Sequence, residues 1–412
     1  MKAIVFQFSM PRLAYATVMG KFTQRAYLSP LGPTNMLDIP EPKLPADDWC
    51  IVRTLLCGIC GSDTKQIFMD ADFDNPLTSL ITFPSVPGHE VTGVIEQVGP
   101  GVKNRRVGDH VLLNPWLSCT PRGINPPCPA CQKGLYFLCE HFGDGNLPSG
   151  MHTGNCRIAT GGFAPLLPAH ESQLFPIPDS VSDDLAVLAD PFSVSLHAVL
   201  KSPPPEGGTA AVYGCGTLGM LTLAVLHSLY PKTHVIAIAR HSLQEKMAKE
   251  LGAELVIRAG AEHEVTEAIA AHMGLKLQKP RFSNSPWLLG GVDVLYDTVG
   301  TAKTLEAGLR FTRPRGSIVV TGVARPRRFE WTPHYFKEIN LIGSNAFAVE
   351  EFEGQRLHAM QLYLNLVEQK RVEIPDMITH RFRQDQYREA LLIAHDKDRH
   401  LALKVVFDYT MK

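Results

Sequence analysis

One segment, "TAAVYGCGTLGMLTLAVLHSL", restricts what this chain can fold into more than any other. An apolar, β-like run leads into Gly214, Gly216 and Gly219, spaced G-x-G-x-x-G, and an apolar helix-like run follows. In that pattern the first glycine permits a tight turn, the second lets the backbone approach a pyrophosphate, and the third lets the helix pack close to the strand. The following "HVIAIARHSLQEKMAKELGAELVI" repeats strand then helix, and "VDVLYDTVG", "AKTLEAGLRF", "GSIVVTGVA" and "INLIGSNAF" carry the alternation to about residue 345. Alternating β and α segments predict an α/β domain with a doubly wound parallel sheet. The turn predicts a dinucleotide held by Gly214, Gly216, Thr217, Leu218 and Gly219.

An acidic residue that bonds the adenosine ribose is expected roughly 20 residues beyond the last glycine. Ala239 stands there, followed by Arg240 and His241. A missing carboxylate removes a repulsion against a 2′-phosphate, and a neighbouring guanidinium can bind one bidentately. NADP(H) is therefore favoured over NAD(H), with a merely solvated Arg240 as the alternative.

The first half reads differently. From about residue 50 to 180, "CIVRTLL", "VTGVIEQVG" and "RVGDHVLLN" are separated by Gly and Pro, which predicts mostly β structure with long loops. Near the end, "FEGQRLHAMQLYLNLVEQKR" is amphipathic and "HLALKVVFDY" reads as a strand. The stretch 276–290, "KLQKPRFSNSPWLLG", is long for a connection and is expected to be a mobile loop or an oligomer contact. The 412 residues suffice for two domains, and 40 basic against 41 acidic residues give no global charge with which to attract nucleic acid or a membrane surface. No apolar run reaches the about 18 residues of a spanning helix. The N-terminal apolar patch is interrupted by Gln7, Ser9 and Arg12 and lacks a cleavage pattern. A soluble, cytoplasmic chain with a small-molecule partner is expected, with no nucleic acid and no membrane.

Four of the nine cysteines, Cys119, Cys128, Cys131 and Cys139, fall in one short window. In a reducing compartment such clustering points to metal more than to disulfides. "CGICGSD" and "PGHE" add a thiol and an imidazole, Cys60 and His89, both suited to zinc, and Asp190 in "LADPFSVSLHAV" is a candidate third ligand. Cys50, Cys57 and Cys215 are expected to be buried core residues.

In order along the chain, "GICGSD", "PGHEVTGVIEQVG", "GDHV", the cysteine cluster, "GGFAP", "DPFSVSLHAV" and the glycine-rich turn resemble a zinc-dependent medium-chain dehydrogenase/reductase of the alcohol dehydrogenase superfamily, nearest in pattern to the sorbitol and threonine dehydrogenase branch. The resemblance covers nearly the whole chain. It implies a Rossmann domain (196–345) inserted into a mostly β, GroES-like catalytic domain (1–195, returning at 346–412), with a structural zinc lobe at 119–139. It implies two zinc ions per chain. Cys60 and His89 match the first two catalytic ligands, and Glu90 a glutamate beside the metal. Asp190 stands where the branch has a glutamate, one methylene longer, so direct binding is left open. Ser62 matches a proton-relay hydroxyl and Asp63 the carboxylate that orients the histidine ligand, while Lys65 replaces a relay histidine. Cys128, Cys131 and Cys139 match the last three structural ligands. The first would fall at Asn125, so Cys119 completes the site only if "TPRGINPP" folds back, the alternative being a three-cysteine or empty lobe. Lys404 resembles a basic residue that reaches the cofactor phosphates, and Thr298, Val299 and Val323 fall at strand ends near the expected cofactor crevice.

The resemblance implies reversible hydride transfer between NADP(H) and an alcohol or carbonyl substrate, with a polyol, sugar or amino alcohol favoured, by a homodimer or homotetramer. A biosynthetic aldehyde or ketone reductase of the same fold is the alternative, and a non-catalytic cofactor-binding protein the remote one. Among the sixteen histidines only His89 has ligand-like neighbours. The six arginines of 310–331 read as a solvated rim rather than an anion site. The insert 70–84 is expected to shape the substrate pocket.

Overall fold

The computed structural model describes residues 1–70, 74–325 and 327–411. The chain forms two compact units: Met1–Asp190 with Arg356–Glu368 and Asp376–Lys412, and Pro191–Gln355 with Gln369–Pro375. The helix Ala189–Lys201 carries the chain through the first boundary, between Asp190 and Pro191. The chain re-enters the first unit at Arg356, within the strand Gln355–His358 and after the strand Val349–Phe352.

The first unit is built on a seven-stranded sheet. Trp49–Gly58 lies centrally and pairs antiparallel with Glu90–Val98, with Leu166–His170 and with the C-terminal strand Lys404–Asp408, in register Phe407 to Cys57. The sheet continues through His110–Leu113 to Leu174–Pro176 on one side and Ile378–Phe382 on the other. β-Branched runs bounded by glycine and proline became these strands, as their composition predicts. Their inward faces bury Val52, Phe163, Leu167, Leu391 and Phe407, with the rings of Phe163 and Phe407 edge to face at 5.0 Å. The N-terminal apolar patch forms a strand, Lys2–Phe6, and a helix, Met10–Met19, which buries only Ala16. Of the 70–84 insert, 71–73 lie outside the described residues, and Pro76–Leu80 is a short 3-10 turn capped by Asn75.

The second unit is a six-stranded, wholly parallel sheet in the order Leu255–Arg258, His234–Ala239, Thr209–Tyr213, Val292–Asp297, Thr312–Val320, Asn340–Gly343. Sequence order reverses between Thr209–Tyr213 and Val292–Asp297, the place where a doubly wound sheet opens a crevice at its strand ends. Helices Thr217–Leu229, Ser242–Glu250, Glu262–His272 and Ala302–Phe311 alternate with the strands. The stretch 276–290 differs from an open loop: Leu277–Gln278 pairs antiparallel with Trp287–Leu288, and Leu288 is buried in the core. The buried Leu288 and the partly buried Leu277 packed against the same core pin it.

Candidate metal centres and cofactor turn

Cys60 ends the strand-to-helix connection and caps the seven-residue helix Gly61–Ile67. His89 and Glu90 lie where the next strand begins. The ligand atoms of Cys60, His89 and Glu90 all fall within 4.8 Å of one another. Asp63, on the helix and 4% exposed, accepts the Cys60 amide N–H at 2.9 Å and the Gly88 amide N–H at 3.2 Å, and its Oδ1 stands 3.4 Å from His89 Nδ1. Burial pushes the Asp63 carboxyl up, but the His89 ring and the Cys60 amide outweigh it and hold the group below its ordinary range. Burial likewise opposes a Cys60 thiolate, yet the adjacent His89 brings the thiol down to about 6. His89 is held well above its ordinary value: burial opposes its charge, and Asp63 and Cys60 favour it more strongly. A low-pKa thiol, an imidazole and a carboxylate facing one another form a donor set that fits zinc.

Asp190 is not part of this group. It is buried at the start of its helix, and burial lifts its carboxyl to about 7, with His89 opposing and Cys60 and Asp63 adding to the rise. Ser62 is exposed on the first turn of its helix. Lys404 buries its ammonium on the Glu90 carboxylate, within the first unit.

All nine cysteines are free thiols. The sulfurs of Cys119, Cys128, Cys131 and Cys139 fall within 4.8 Å of one another, with Cys119 Sγ and Cys139 Sγ 3.6 Å apart. The insert before Cys128 does fold back, and the Cys128 amide donates to Cys119 Sγ at 3.3 Å. Arg122 organises this fold-back. Its side chain is 0% exposed and donates to the carbonyls of Leu117, Asp144, Leu147, Pro148 and Gly150 at 2.6–3.1 Å. Four converging thiols with no disulfide fit a closed tetrahedral zinc site.

Sequence reasoning also passed over His152. Its ring centroid lies 4.7 Å from that of His89, and burial followed by the neighbouring His89 brings it down to about 4. No local motif marks it, because its place depends on a tertiary pairing with Trp116.

In the second unit Gly214 has φ +91°, and a Cβ there would lie 2.4 Å from Val299. At Gly219 a Cβ would lie 1.8 Å from the Gly214 carbonyl, whereas at Gly216, the cap of helix Thr217–Leu229, it would meet nothing within 4 Å. The turn is thus closed on its protein side and open where amides lead the helix, a cradle for a phosphate. Thr298 Oγ1 donates to the carbonyls of Tyr213 and Gly214, while Val299 and Val323 are exposed. Asp297, also unmarked in the sequence, accepts the Val299 and Gly300 amides and the Thr304 hydroxyl. Arg240 and His241 follow the strand His234–Ala239, and both backbone amides donate to Gln244 Oε1. In the arginine-rich span, Arg310, Arg313 and Arg315 pair with Glu306, Asp293 and Glu338.

A mostly antiparallel unit with a thiol, imidazole and carboxylate cluster and a four-cysteine lobe, joined in one chain to a doubly wound unit with a glycine-rich turn, defines a zinc-dependent medium-chain dehydrogenase/reductase. Residues 46–179 match the alcohol dehydrogenase GroES-like domain, and residues 217–361 match the zinc-binding dehydrogenase family. The chain is 31% identical over 332 residues to an (R,R)-butanediol dehydrogenase of Saccharomyces cerevisiae, covering 77% of this chain and 81% of that protein. It is 28% identical over 337 residues to an L-idonate 5-dehydrogenase of Vitis vinifera, covering 80% of each. Among solved structures, a 2R,3R-butanediol dehydrogenase of Bacillus subtilis shares the fold at a TM-score of 0.70 and 23% identity, over 99% of each chain. A galactitol-1-phosphate dehydrogenase of Escherichia coli does so at 0.70 and 21%, over 99% of this chain and 100% of that one. The chain belongs to the zinc-dependent medium-chain family of the alcohol dehydrogenase superfamily and is an oxidoreductase acting on CH–OH groups. Among the described residues no helix is long and apolar enough to cross a membrane.

Proposed function

We propose that the protein interconverts a polyol or related vicinal diol and its carbonyl form with NADP(H). The observation that carries this reading is the convergence of Cys60, His89 and Glu90. A zinc ion at that cluster supplies Lewis acidity toward a substrate hydroxyl, and the nicotinamide supplies the hydride acceptor. Cys60 and His89 hold the ion, with Glu90 beside them and Asp190 as the nearby carboxylate. Asp63 fixes the His89 ring, a supporting role that metal-ligating histidines usually need. Ser62, exposed on its helix, takes the hydroxyl proton toward solvent. Cys119, Cys128, Cys131 and Cys139 hold a second, structural zinc.

Gly214, Gly216, Thr217, Leu218 and Gly219 receive the pyrophosphate on open amides. Thr298, Val299 and Val323 border the nicotinamide half, and Arg240 with His241 receives the 2′-phosphate. The substrate class is supported by relatives named for butanediol, D-arabinitol and sorbitol, which are diols or polyols, and for L-idonate, a polyhydroxy acid. Assembly as a homodimer or homotetramer, in the cytoplasm, completes the reading. The strand Asn340–Gly343 supports that assembly, since it ends the parallel sheet with Asn340, Leu341 and Gly343 exposed, an edge of the kind association covers.

Reduced-cofactor absorbance, with NADP and NAD in parallel across diols, polyols, sugars and amino alcohols, tests the reading. Turnover of a polyol with NADP, abolished in Cys60→Ala and His89→Ala while cofactor binding persists, is the expected result. Full activity in either variant removes the metal role, and turnover with NAD alone removes the phosphate assignment.

A further inference from the structure

The His89 imidazole and the four-cysteine lobe are joined by a short run of packed rings. His152 stands 4.7 Å from His89, centroid to centroid, and on its other side meets Trp116 edge to face at 5.9 Å and 90°. Trp116 in turn lies 6.3 Å from Phe137 and 6.4 Å from Phe142, the residues that flank the lobe's last cysteine, Cys139. Backbone pairing locks the middle of this run: the Leu117 amide donates to Met151 O at 2.9 Å and the Thr153 amide to Pro115 O at 2.8 Å. Cys119 lies three residues past Trp116, so one strap of chain carries both a lobe thiol and the ring that His152 packs on.

His152 is placed to act through His89 and not as a ligand. Its Nδ1 is 2.7 Å from the Thr153 carbonyl, which only accepts, so the ring proton resides on Nδ1. Its Nε2 is 2.8 Å from Asn155 Nδ2, which only donates, so Nε2 is the acceptor. Both ring nitrogens are engaged, and what the ring presents to His89 is a rigid face. Packed rings transmit position because a buried void or an overlap is costly, whereas a mobile loop would transmit nothing.

We propose that His152 is a positioning residue that couples the order of the four-cysteine lobe to the orientation of the metal-ligating imidazole of His89. This rests on the reading of Cys60 and His89 as metal ligands. Because such coupling is reciprocal in binding free energy, a filled lobe raises the metal affinity of the Cys60–His89 cluster, and a filled cluster raises that of the lobe by the same factor. The chemistry at Cys60 and His89 would then depend on a zinc that has no open coordination position of its own.

The test loads the full chain with zinc in the lobe and cobalt(II) at the Cys60–His89 cluster. It reads the cobalt ligand-field spectrum and the rate at which a chelator removes cobalt, in wild type, His152→Ala, His152→Phe and Trp116→Leu. In His152→Ala the spectrum should shift and release should quicken by roughly tenfold or more, the range found when a ligand's supporting partner is lost. His152→Phe, which restores an aromatic face, should recover most of the wild-type rate. Trp116→Leu cuts the run on the lobe side without touching His89, and it should also quicken release. An unchanged spectrum and rate in His152→Ala overturns the proposal, and so does a Trp116→Leu that behaves as wild type. A wild-type protein that takes up no cobalt at Cys60 and His89 refutes instead the metal reading on which the proposal stands.

Discussion

Lys404 sets its ammonium on the Glu90 carboxylate, and each of the two side chains is only 2% exposed. Burial pushes the lysine down to about 8, with Cys60, Asp63 and Cys57 resisting that fall. A buried pair broken on one side leaves an uncompensated charge, which costs about 3–5 kcal/mol. Lys404→Met should therefore lose about that much in urea unfolding, and Glu90→Gln combined with Lys404→Met should lose less than Lys404→Met alone. A double variant as unstable as the sum of the singles would show that the two side chains do not act as a pair.

Lys337 makes stability depend on pH. Its ammonium is buried and donates to the carbonyls of Leu288, Arg310 and Thr312. Burial, followed by the nearby Arg310, lowers it from 10.5 to about 7. In the unfolded chain the lysine keeps its proton up to 10.5, while in the folded chain it gives the proton up near 7. Between those values the unfolded state binds more protons, so this residue's contribution makes stability rise with pH, at most about 1.4 kcal/mol per unit. Below about 7 both states are protonated and the burial cost is present in full. In Lys337→Met the stability of variant relative to wild type should fall steadily from pH 7 to pH 10 in urea titrations. Parallel pH profiles would contradict this.

Arg122 serves all its donors to the loop carbonyls that hold Cys119 beside its partners. Arg122→Met leaves those buried carbonyls unpaired at about 1–3 kcal/mol for each that finds no water. The lobe should then lose zinc to a thiol reagent far faster than wild type and the melting temperature should fall, with Arg122→Lys intermediate because it carries fewer donors. Equal zinc release in all three proteins would assign the fold-back to the metal alone.

What the sequence made legible was local. The glycine spacing specifies a turn within six residues, and the gaps between Cys128, Cys131 and Cys139 specify a lobe within twelve, so neither depends on distant chain. Cys119 was a candidate, but only the carbonyl contacts of Arg122 show how an eight-residue insert brings it back. His152 carried no signal, since its meaning comes from a ring in one loop meeting a ring in another. Lys404 was marked as a special basic residue, but its pairing with Glu90 was not legible, because a strand position does not say which carboxylate a long side chain finds. Asp190 shows a different gap: residue type indicated a ligand, while its position relative to Cys60, His89 and Glu90 is set by tertiary packing that sequence spacing does not encode.

The proposed preference for NADP(H) rests on Arg240. It follows the strand His234–Ala239, its backbone amide is tied to Gln244, and no carboxylate occupies the preceding position, which is Ala239. A guanidinium that binds a 2′-phosphate contributes nothing to a cofactor that lacks one. Arg240→Ala should therefore raise KM for NADP by roughly tenfold or more, the scale of a lost charge-assisted contact, and leave KM for NAD and kcat with either cofactor nearly unchanged. Titration of each cofactor by quenching of protein fluorescence checks the same point without turnover. If both cofactors weaken together, Arg240 supports the turn as a whole; if neither does, the 2′-phosphate is met by another group, and His241 is the next side chain to replace.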